Sequence, residues 1–274
     1  MTTHGANVSR GDFPFLAHEK PRPGQIEMMY ECREALRNGG YHLAAAPTGI
    51  GKTAASLAAA LEIARSSSQK LHILFLTGRQ SQHRIVVETA RSINSRLEQS
   101  HRKVQVVDLI GRESMCELID MQTGKCDCET GSSEGSKFAR RDEIAQYILE
   151  QPRHVEEIIE KSKIWGLCAW STCRYAAKDC DILVCDYNHV FSEGVRENSL
   201  PSMGISLDNC IIIVDEAHNL PDRIRMNMER IITPTMTRNT SMELEEYLGH
   251  LNVDFQRNSS PAVGKEIKLV EWAF

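Results

Sequence analysis

Residues 46–53 read Ala-Pro-Thr-Gly-Ile-Gly-Lys-Thr and lie between a short apolar run at 41–46 and an Ala- and Leu-rich segment at 54–65. A glycine turn between a strand and a helix lets backbone N–H groups point inward and bind phosphate oxygens at the helix N-terminus. We therefore interpret the apolar run as a strand, the segment at 54–65 as a buried helix, and the turn as a phosphate-binding loop. The alternative is a glycine turn followed by a threonine that caps the helix.

The loop predicts a role for each of its polar residues and glycines. Lys52 is expected to neutralise the β- and γ-phosphates of a nucleotide and to be catalytic, and the Thr53 hydroxyl is expected to bind Mg²⁺. The backbone at Thr48, Gly49 and Gly51 is expected to surround the phosphate oxygens. The predicted cofactors are therefore ATP and Mg²⁺.

Further apolar runs predict the other strands of a sheet. They lie at 71–77, 104–110, 181–187 and 210–214. Runs rich in β-branched residues are typical of parallel strands that are buried on both faces. Helical patterns at 25–37, 54–65 and 81–97 alternate with these runs. This alternation predicts an α/β fold with a doubly wound parallel sheet.

The residues that follow the last apolar run form a second polar motif. Residues 214–219 read Val-Asp-Glu-Ala-His-Asn. An aspartate at the carboxyl end of a strand in such a sheet is placed to bind the metal of an NTPase, so Asp215 is the predicted Mg²⁺ ligand. We expect Glu216 to polarise the attacking water and His218 to couple the nucleotide state to the rest of the protein. Alone, this motif is more typical of a solvated helix start than of a catalytic site, but its pairing with the phosphate loop favours catalysis.

Composition limits the other classes of function. The formal net charge is −5 with a pI near 6.1, so any nucleic-acid contact must come from local groups of Lys and Arg. No apolar run approaches the roughly 18 residues of a membrane span, and the N-terminus lacks a signal-peptide pattern. We expect a cytoplasmic location, in which the nine cysteines form no disulfide framework.

Five of the cysteines lie between residues 111 and 173, and the segment at 111–165 has little apolar sequence with which to build a core. A metal centre can supply the missing folding energy. The predicted ligands are Cys116, Cys126, Cys128 and Cys168, with Cys173 as an alternative to either member of the closely spaced Cys126 and Cys128 pair. Thiolates bind iron–sulfur clusters and zinc alike, so the identity and spacing of these ligands do not distinguish between the two metals. Three other cysteines lie in apolar periodic sequence and are expected in the core: Cys32, Cys185 and Cys210.

The phosphate loop and the acidic motif together resemble superfamily 2 helicases of the DEAH-box type. Three further segments narrow this resemblance to the XPD/DinG-like family. Residues 22–25 resemble the family's adenine-side motif, and residues 111–116 resemble its first cluster cysteine with the preceding arginine, Arg112. Residues 168–170 and 181–188 resemble its Cys-Pro-Tyr and Ala-Asp-x-x-x-x-x-Tyr-Asn signature. By this resemblance Arg22 and Gln25 are predicted to contact the nucleotide.

The resemblance implies a RecA-like motor domain with a [4Fe–4S] cluster in an inserted subdomain, and a cluster rather than zinc. It implies ATP-driven 5′→3′ translocation on single-stranded DNA, unwinding of forked DNA, and a role in DNA repair. Residues 77–82 are implied to lie on the DNA backbone, although Thr77-Gly78-Arg79 departs from the family's usual Thr-Arg-Thr.

The expected organisation follows the same family. Residues 1–110 form the first part of the motor domain, 111–180 the cluster insertion, 181–221 the second part with the DEAH box, and 222–274 the start of a helical arch. We expect the family's second motor domain beyond residue 274, in a longer protein or on a separate chain. Two alternatives stay open: a DinG-like helicase of different role, and a nucleotide- and DNA-binding module without turnover of its own.

Overall fold

The computed structural model describes residues 13–47, 49–116, 119–120, 134–229, 232–258 and 261–273. The chain divides after Ile224 into two compact units, Met1–Ile224 and Arg225–Phe274. No helix in the described part of the chain has the combination of length and apolar character that crossing a membrane requires.

Helices and strands alternate along most of the chain. In order they are α1 (Gln25–Arg37), α2 (Lys52–Ser66), β1 (His72–Leu76), α3 (Gln80–Arg96), β2 (Val106–Asp108), α4 (Arg112–Met115), α5 (Glu134–Glu150), α6 (Val155–Trp165), α7 (Ala169–Ala177), β3 (Ile182–Cys185), α8 (Asn188–Phe191), α9 (Glu193–Ser202), β4 (Cys210–Val214), α10 (Leu220–Met228), α11 (Pro234–Asn258) and α12 (Pro261–Ala273). Short 3₁₀ turns precede and follow β4.

The four strands form one parallel sheet in the order β2-β3-β1-β4. Leu74 of β1 lies opposite Leu183 on one side and Ile212 on the other. Because all strands point the same way, the chain segments that follow β1, β3 and β4 lie side by side at one edge of the sheet. The predicted α/β fold with a doubly wound parallel sheet is confirmed.

Alternate strand residues build two separate cores, one on each face of the sheet. Ile73 and Phe75 of β1 pack with residues of α1, α2 and α3. Leu74 and Leu76 pack on the opposite face with residues of α5, α6 and α7. The helices between β2 and β3 therefore form a second helical layer on the sheet.

The segment after residue 111 thus contains more core than its composition indicated. Four of its apolar side chains are almost completely buried against the sheet: Ile144, Ile148, Val155 and Ile158. They lie at helical spacing among charged residues, so each helix presents one apolar face. Because these helices pack on the sheet through their own apolar faces, the folding energy of a cluster is needed only for the part of the segment around the cysteines.

The expected strand at 41–46 is absent from the sheet, so this prediction was wrong. Tyr41 and Leu43 are 101% and 88% exposed. Half of the run is alanine, which is depleted in strands because its side chain offers little surface for cross-strand packing. In the described residues β4 is therefore an edge strand, and Ile212 at its centre is 40% exposed.

The second unit consists of helical sequence around a small apolar core. Leu251 of α11 and Ile267 of α12 are buried, with Leu244, Leu248 and Val263 packed against them. Tyr247 donates a hydrogen bond of 2.5 Å to the Glu266 carboxylate, which also joins the two helices. The assignment of this second unit to a helical arch stays a prediction.

Candidate nucleotide-binding site

The predicted phosphate loop leads into α2, as its sequence indicates. Gly49 and Gly51 have φ values of 85° and 86°, in the left-handed region that favours glycine. Lys52 is the first residue of α2, and its Nζ donates to the carbonyl oxygens of Ala46 and Pro47 at 2.9 and 3.4 Å. Thr48 lies outside the described residues.

Arg22 and Gln25 hold the backbone of this loop. Arg22 Nη1 donates to Gly49 O at 2.5 Å, and Gln25 Nε2 donates to Gly51 O at 3.0 Å. Gln25 is fully buried, and its Oε1 accepts from the Arg22 amide at 2.8 Å. A Cβ atom on Gly51 would overlap Gln25 Nε2. Both residues therefore support the phosphate loop directly, whereas their contact with adenine stays a prediction.

Replacing Gln25 with Ala is expected to weaken Mg·ATP binding about tenfold. The change leaves Gly51 O and the Arg22 amide without their partners, at about 1–3 kcal/mol for each buried group, and frees the loop. Calorimetric titration with a non-hydrolysable ATP analogue measures the effect, with exposed Gln69→Ala as the matched control. Equal affinity in both variants would show that Gln25 is dispensable for the loop.

Asp215 lies at the carboxyl end of β4, where its amide donates to Leu76 O of β1 at 2.9 Å. Its Oδ2 is buried and has no hydrogen-bond partner among the described residues. Burial raises the pKa of the Asp215 carboxyl, the charge of Glu216 raises it further, and the charge of Lys52 opposes both. Asp215 and Lys52 are thus close enough to interact, and a buried carboxylate oxygen without a donor suits a hard divalent cation.

Glu216 and His218 follow Asp215 on the surface of the protein. Glu216 has a φ of 49°, the one positive φ of a non-glycine residue in the described ranges. Such a conformation is unfavourable by about 1–3 kcal/mol and persists where the surrounding structure enforces it. The Glu216 Oε2 lies 3.3 Å from His218 Nδ1, with 39% and 71% of the two side chains exposed. Glu216 is accessible to water, as its predicted role requires.

The segment after β1, predicted to lie on DNA, is only partly accessible. Thr77 is 1% exposed, and its amide donates to Cys185 O at 3.0 Å, so it continues the sheet. Gly78, Arg79 and Gln80 are exposed. Any contact with DNA must therefore come from residues after Thr77.

The structure describes only part of the predicted cluster site. Cys116 follows α4 and is partly buried, while Cys168 precedes α7 and its sulfur accepts from the Ser171 amide at 3.5 Å. A helix N-terminus stabilises a thiolate, which is the form that binds metal. Cys126 and Cys128 lie outside the described residues. Within the described ranges no three His, Cys, Asp or Glu side chains are grouped to hold a metal, so the ligand set stays a prediction.

Cys173, the alternative ligand, lies in the core. Its thiol is fully buried and donates to Asp108 O at 3.7 Å. Burial raises its pKa well above the ordinary value, and the charges of Asp108 and Cys168 add to this effect. Because a metal binds the thiolate, this environment favours core packing for Cys173.

The three cysteines expected in the core differ in burial. Cys185 is fully buried, whereas Cys32 and Cys210 are only partly buried. The Cys210 thiol donates to Ser206 O at 3.0 Å, and burial with the charge of Asp208 raises its pKa to about 12. None of the three is placed as a reactive thiolate.

Arg112 and Arg174 contact the ring of Trp170, two residues after Cys168. Their guanidinium carbons lie 5.2 and 4.2 Å from the ring centroid, within the range of cation–π attraction. Arg112 therefore contacts a residue of the helix that begins just after the predicted ligand Cys168.

Two long-range contacts were not foreseen. The Tyr187 hydroxyl donates to Asp215 O at 2.5 Å, and His83 Nδ1 lies 2.6 Å from Asp108 Oδ1. The other oxygen of Asp108 accepts from the Val155 amide at 3.1 Å, which joins α6 to the end of β2. The available sequence signal is a polar residue at the end of a buried strand for Asp108, and one shortly after a buried strand for Tyr187, but it does not reveal their partners.

Comparison with known proteins places this site in a family. Residues 62–235 match the DEAD_2 family. The chain is 26% identical over 260 residues to the Arabidopsis thaliana "Regulator of telomere elongation helicase 1 homolog", covering 79% of this chain and 23% of that protein. It is also 26% identical over 175 residues to the Eremothecium gossypii "ATP-dependent DNA helicase CHL1", covering 62% of this chain and 20% of that protein. The chain thus spans less than a quarter of these relatives.

Solved structures show the same fold. A structure titled "XPD_Helicase" superposes with a TM-score of 0.56 at 19% identity, covering 92% of this chain and 40% of that one. A structure titled "Truncated XPD" gives a TM-score of 0.51 at 20% identity, with coverages of 81% and 58%. The family match over residues 62–235 covers more than half of the chain and shows that the chain belongs to the DEAD_2 family, in agreement with the helicase resemblance of its motifs.

Proposed function

We propose that the chain forms the ATP-binding part of a DNA helicase motor. The observation that carries this proposal is a phosphate loop at the start of α2 together with Asp215 at the carboxyl end of β4, whose buried Oδ2 has no donor among the described residues. A loop lysine and an unsatisfied carboxylate oxygen in such a sheet suit a metal-bound polyphosphate.

Each residue of the site has a defined task in this proposal. Bound ATP with Mg²⁺ supplies a γ-phosphoryl group for transfer to water. Lys52 binds the β- and γ-phosphates, and Thr53 and Asp215 hold the metal. Glu216 accepts the proton of the attacking water, and His218, 3.3 Å from Glu216, couples its orientation to the rest of the motor.

The nucleic acid in this proposal is single-stranded DNA next to a fork. Both relatives are named as helicases, one as an ATP-dependent DNA helicase. On this chain the exposed residues Gly78, Arg79 and Gln80 are the candidate contacts, since they are accessible and Thr77 is not. Movement in the 5′→3′ direction, a role in repair, and a second motor domain elsewhere belong to the same proposal.

A [4Fe–4S] cluster is the proposed stabiliser of the segment around 116–133. Cys168 has a helix N-terminus at its sulfur, Cys116 is partly accessible, and Arg112 lies over the ring of Trp170, two residues after Cys168. Together with Cys126 and Cys128 they would provide four thiolates, the usual ligand number of such a cluster.

Replacing Lys52 with Ala is expected to weaken Mg·ATP binding tens-fold or more. Loss of one charge-assisted phosphate contact is worth on the order of 2–3 kcal/mol. Titration of a fluorescent ATP analogue measures the affinity, and the thermal unfolding midpoint checks the fold. Lys70→Ala, which removes an exposed lysine before β1, should bind like the unmodified protein. Unchanged affinity in the Lys52 variant would contradict the phosphate-loop assignment.

A further inference from the structure

Tyr187 connects the ends of three neighbouring strands. It follows β3, its side chain is 3% exposed, and its hydroxyl donates to Asp215 O at the end of β4. Its ring lies against Gly78 at the end of β1, where a Cβ atom would be 3.2 Å from Tyr187 Cε2. One rigid side chain thus contacts both the segment proposed to face DNA and the motif proposed to bind metal.

The hydrogen bond from Tyr187 fixes the peptide group between Asp215 and Glu216. The Asp215 backbone is also held by the hydrogen bond that its amide donates to Leu76 O at 2.9 Å. Glu216 then adopts its unfavourable φ of 49°, which requires support from neighbouring groups. Because this peptide group precedes the Glu216 Cα atom, the hydrogen bond from Tyr187 helps to fix the backbone from which the Glu216 side chain extends.

We propose that Tyr187 is a positioning residue that couples DNA binding at residues 78–80 to the geometry of Asp215 and Glu216. The DNA side of this inference rests on the proposed function. A shift of Gly78 displaces the ring in contact with it, and the hydroxyl at the other end of the ring moves relative to Asp215 O. Such a coupling is reciprocal, so Mg·ATP must strengthen DNA binding by the factor by which DNA strengthens Mg·ATP binding.

The test measures this factor in the unmodified protein and in Tyr187→Phe. A non-hydrolysable ATP analogue with Mg²⁺ is titrated with and without saturating single-stranded oligothymidylate, and the oligonucleotide is titrated with and without the analogue. We expect each ligand to strengthen the other by about 5- to 150-fold in the unmodified protein, a typical range for allosteric coupling. In Tyr187→Phe, which keeps the ring, we expect a factor below about two, with each separate affinity changed less than about threefold.

Two further variants separate coupling from general loosening of the fold. Tyr175→Phe removes a hydroxyl that donates to Asp142 at 2.7 Å, and it should retain the full coupling factor. Gly78→Ala adds a methyl group 3.2 Å from the Tyr187 ring and 3.3 Å from Arg223 Nη2. This variant perturbs the contact between residue 78 and the Tyr187 ring while the hydroxyl remains, so it should also reduce the coupling factor between DNA and Mg·ATP.

The outcomes distinguish this inference from the proposed function. Failure of the unmodified protein to bind either the analogue or the oligonucleotide would contradict the proposed function itself. Binding of both without mutual enhancement, or full enhancement in Tyr187→Phe, would overturn the role of Tyr187 alone. A variant that binds the analogue more than tenfold more weakly yet keeps the coupling factor would also overturn it, because the hydroxyl would then only support the nucleotide site.

Discussion

Glu216→Gln is expected to slow ATP hydrolysis by about 100- to 10,000-fold, the usual contribution of a positioned general base. The amide is nearly the same size as the carboxylate but cannot accept the proton of the attacking water. Mg·ATP should bind with nearly unchanged affinity, since Lys52, Thr53 and Asp215 remain. Phosphate release in the presence of single-stranded DNA measures the rate, and titration of a non-hydrolysable analogue measures the affinity.

The control for this variant is Glu193→Gln, which neutralises an exposed carboxylate in the first turn of α9. It should hydrolyse ATP at the rate of the unmodified protein. A Glu216 variant that keeps a third or more of that rate would show that another group activates the water. If the unmodified protein binds Mg·ATP and DNA yet releases no phosphate, the chain is a binding module without turnover.

Cys168→Ser is expected to abolish the iron–sulfur cluster. Protein purified without oxygen should be brown, with iron and sulfide in comparable amounts, whereas the variant should be colourless. It should also unfold more readily around residue 116, because the metal centre supplies folding energy there. Nucleotide affinity should change little, since the phosphate loop precedes α2, which packs on the opposite face of the sheet from α7. Cys116→Ser should behave in the same way.

Three cysteines provide matched controls for this experiment. Cys32→Ser and Cys210→Ser alter partly buried thiols outside the cluster segment and should keep the colour. Cys173→Ser should also keep it but should lower the thermal stability, since its thiol is fully buried in the core. A colourless unmodified protein that holds one zinc ion would replace the cluster with a structural zinc site. The absence of any bound metal would contradict both.

Some elements were predictable because local sequence is sufficient to form them. The apolar run at 71–77 became β1 (His72–Leu76), and the pattern at 81–97 became α3 (Gln80–Arg96). The glycines at 49 and 51, predicted to form the turn of the phosphate loop, adopt left-handed conformations. The run at 41–46 was predicted wrongly because a strand also needs a partner, and three alanines offer little to pack against one.

The partners of individual side chains were beyond the reach of sequence patterns. The sequence did not reveal that Arg22 and Gln25 bind the carbonyl groups of Gly49 and Gly51, and their contact with the nucleotide stays a prediction. The composition of the segment after residue 111 predicted too little apolar sequence for a core. The few apolar residues of its charged helices nevertheless share one face of each helix and pack against the sheet.

The positions of Lys52 at the start of α2 and of Asp215 after β4 could be predicted from local sequence, while their roles stay predictions. Tyr187 lies 28 positions from Asp215, and its contact arises only because parallel strands bring β3, β1 and β4 together at one edge of the sheet. Helical and strand periodicity reports which face of an element is buried, but it carries no information on which distant element lies opposite. The strand order and the register supply that information, so the connection between the proposed DNA-facing segment and the metal-binding motif emerged with the tertiary fold.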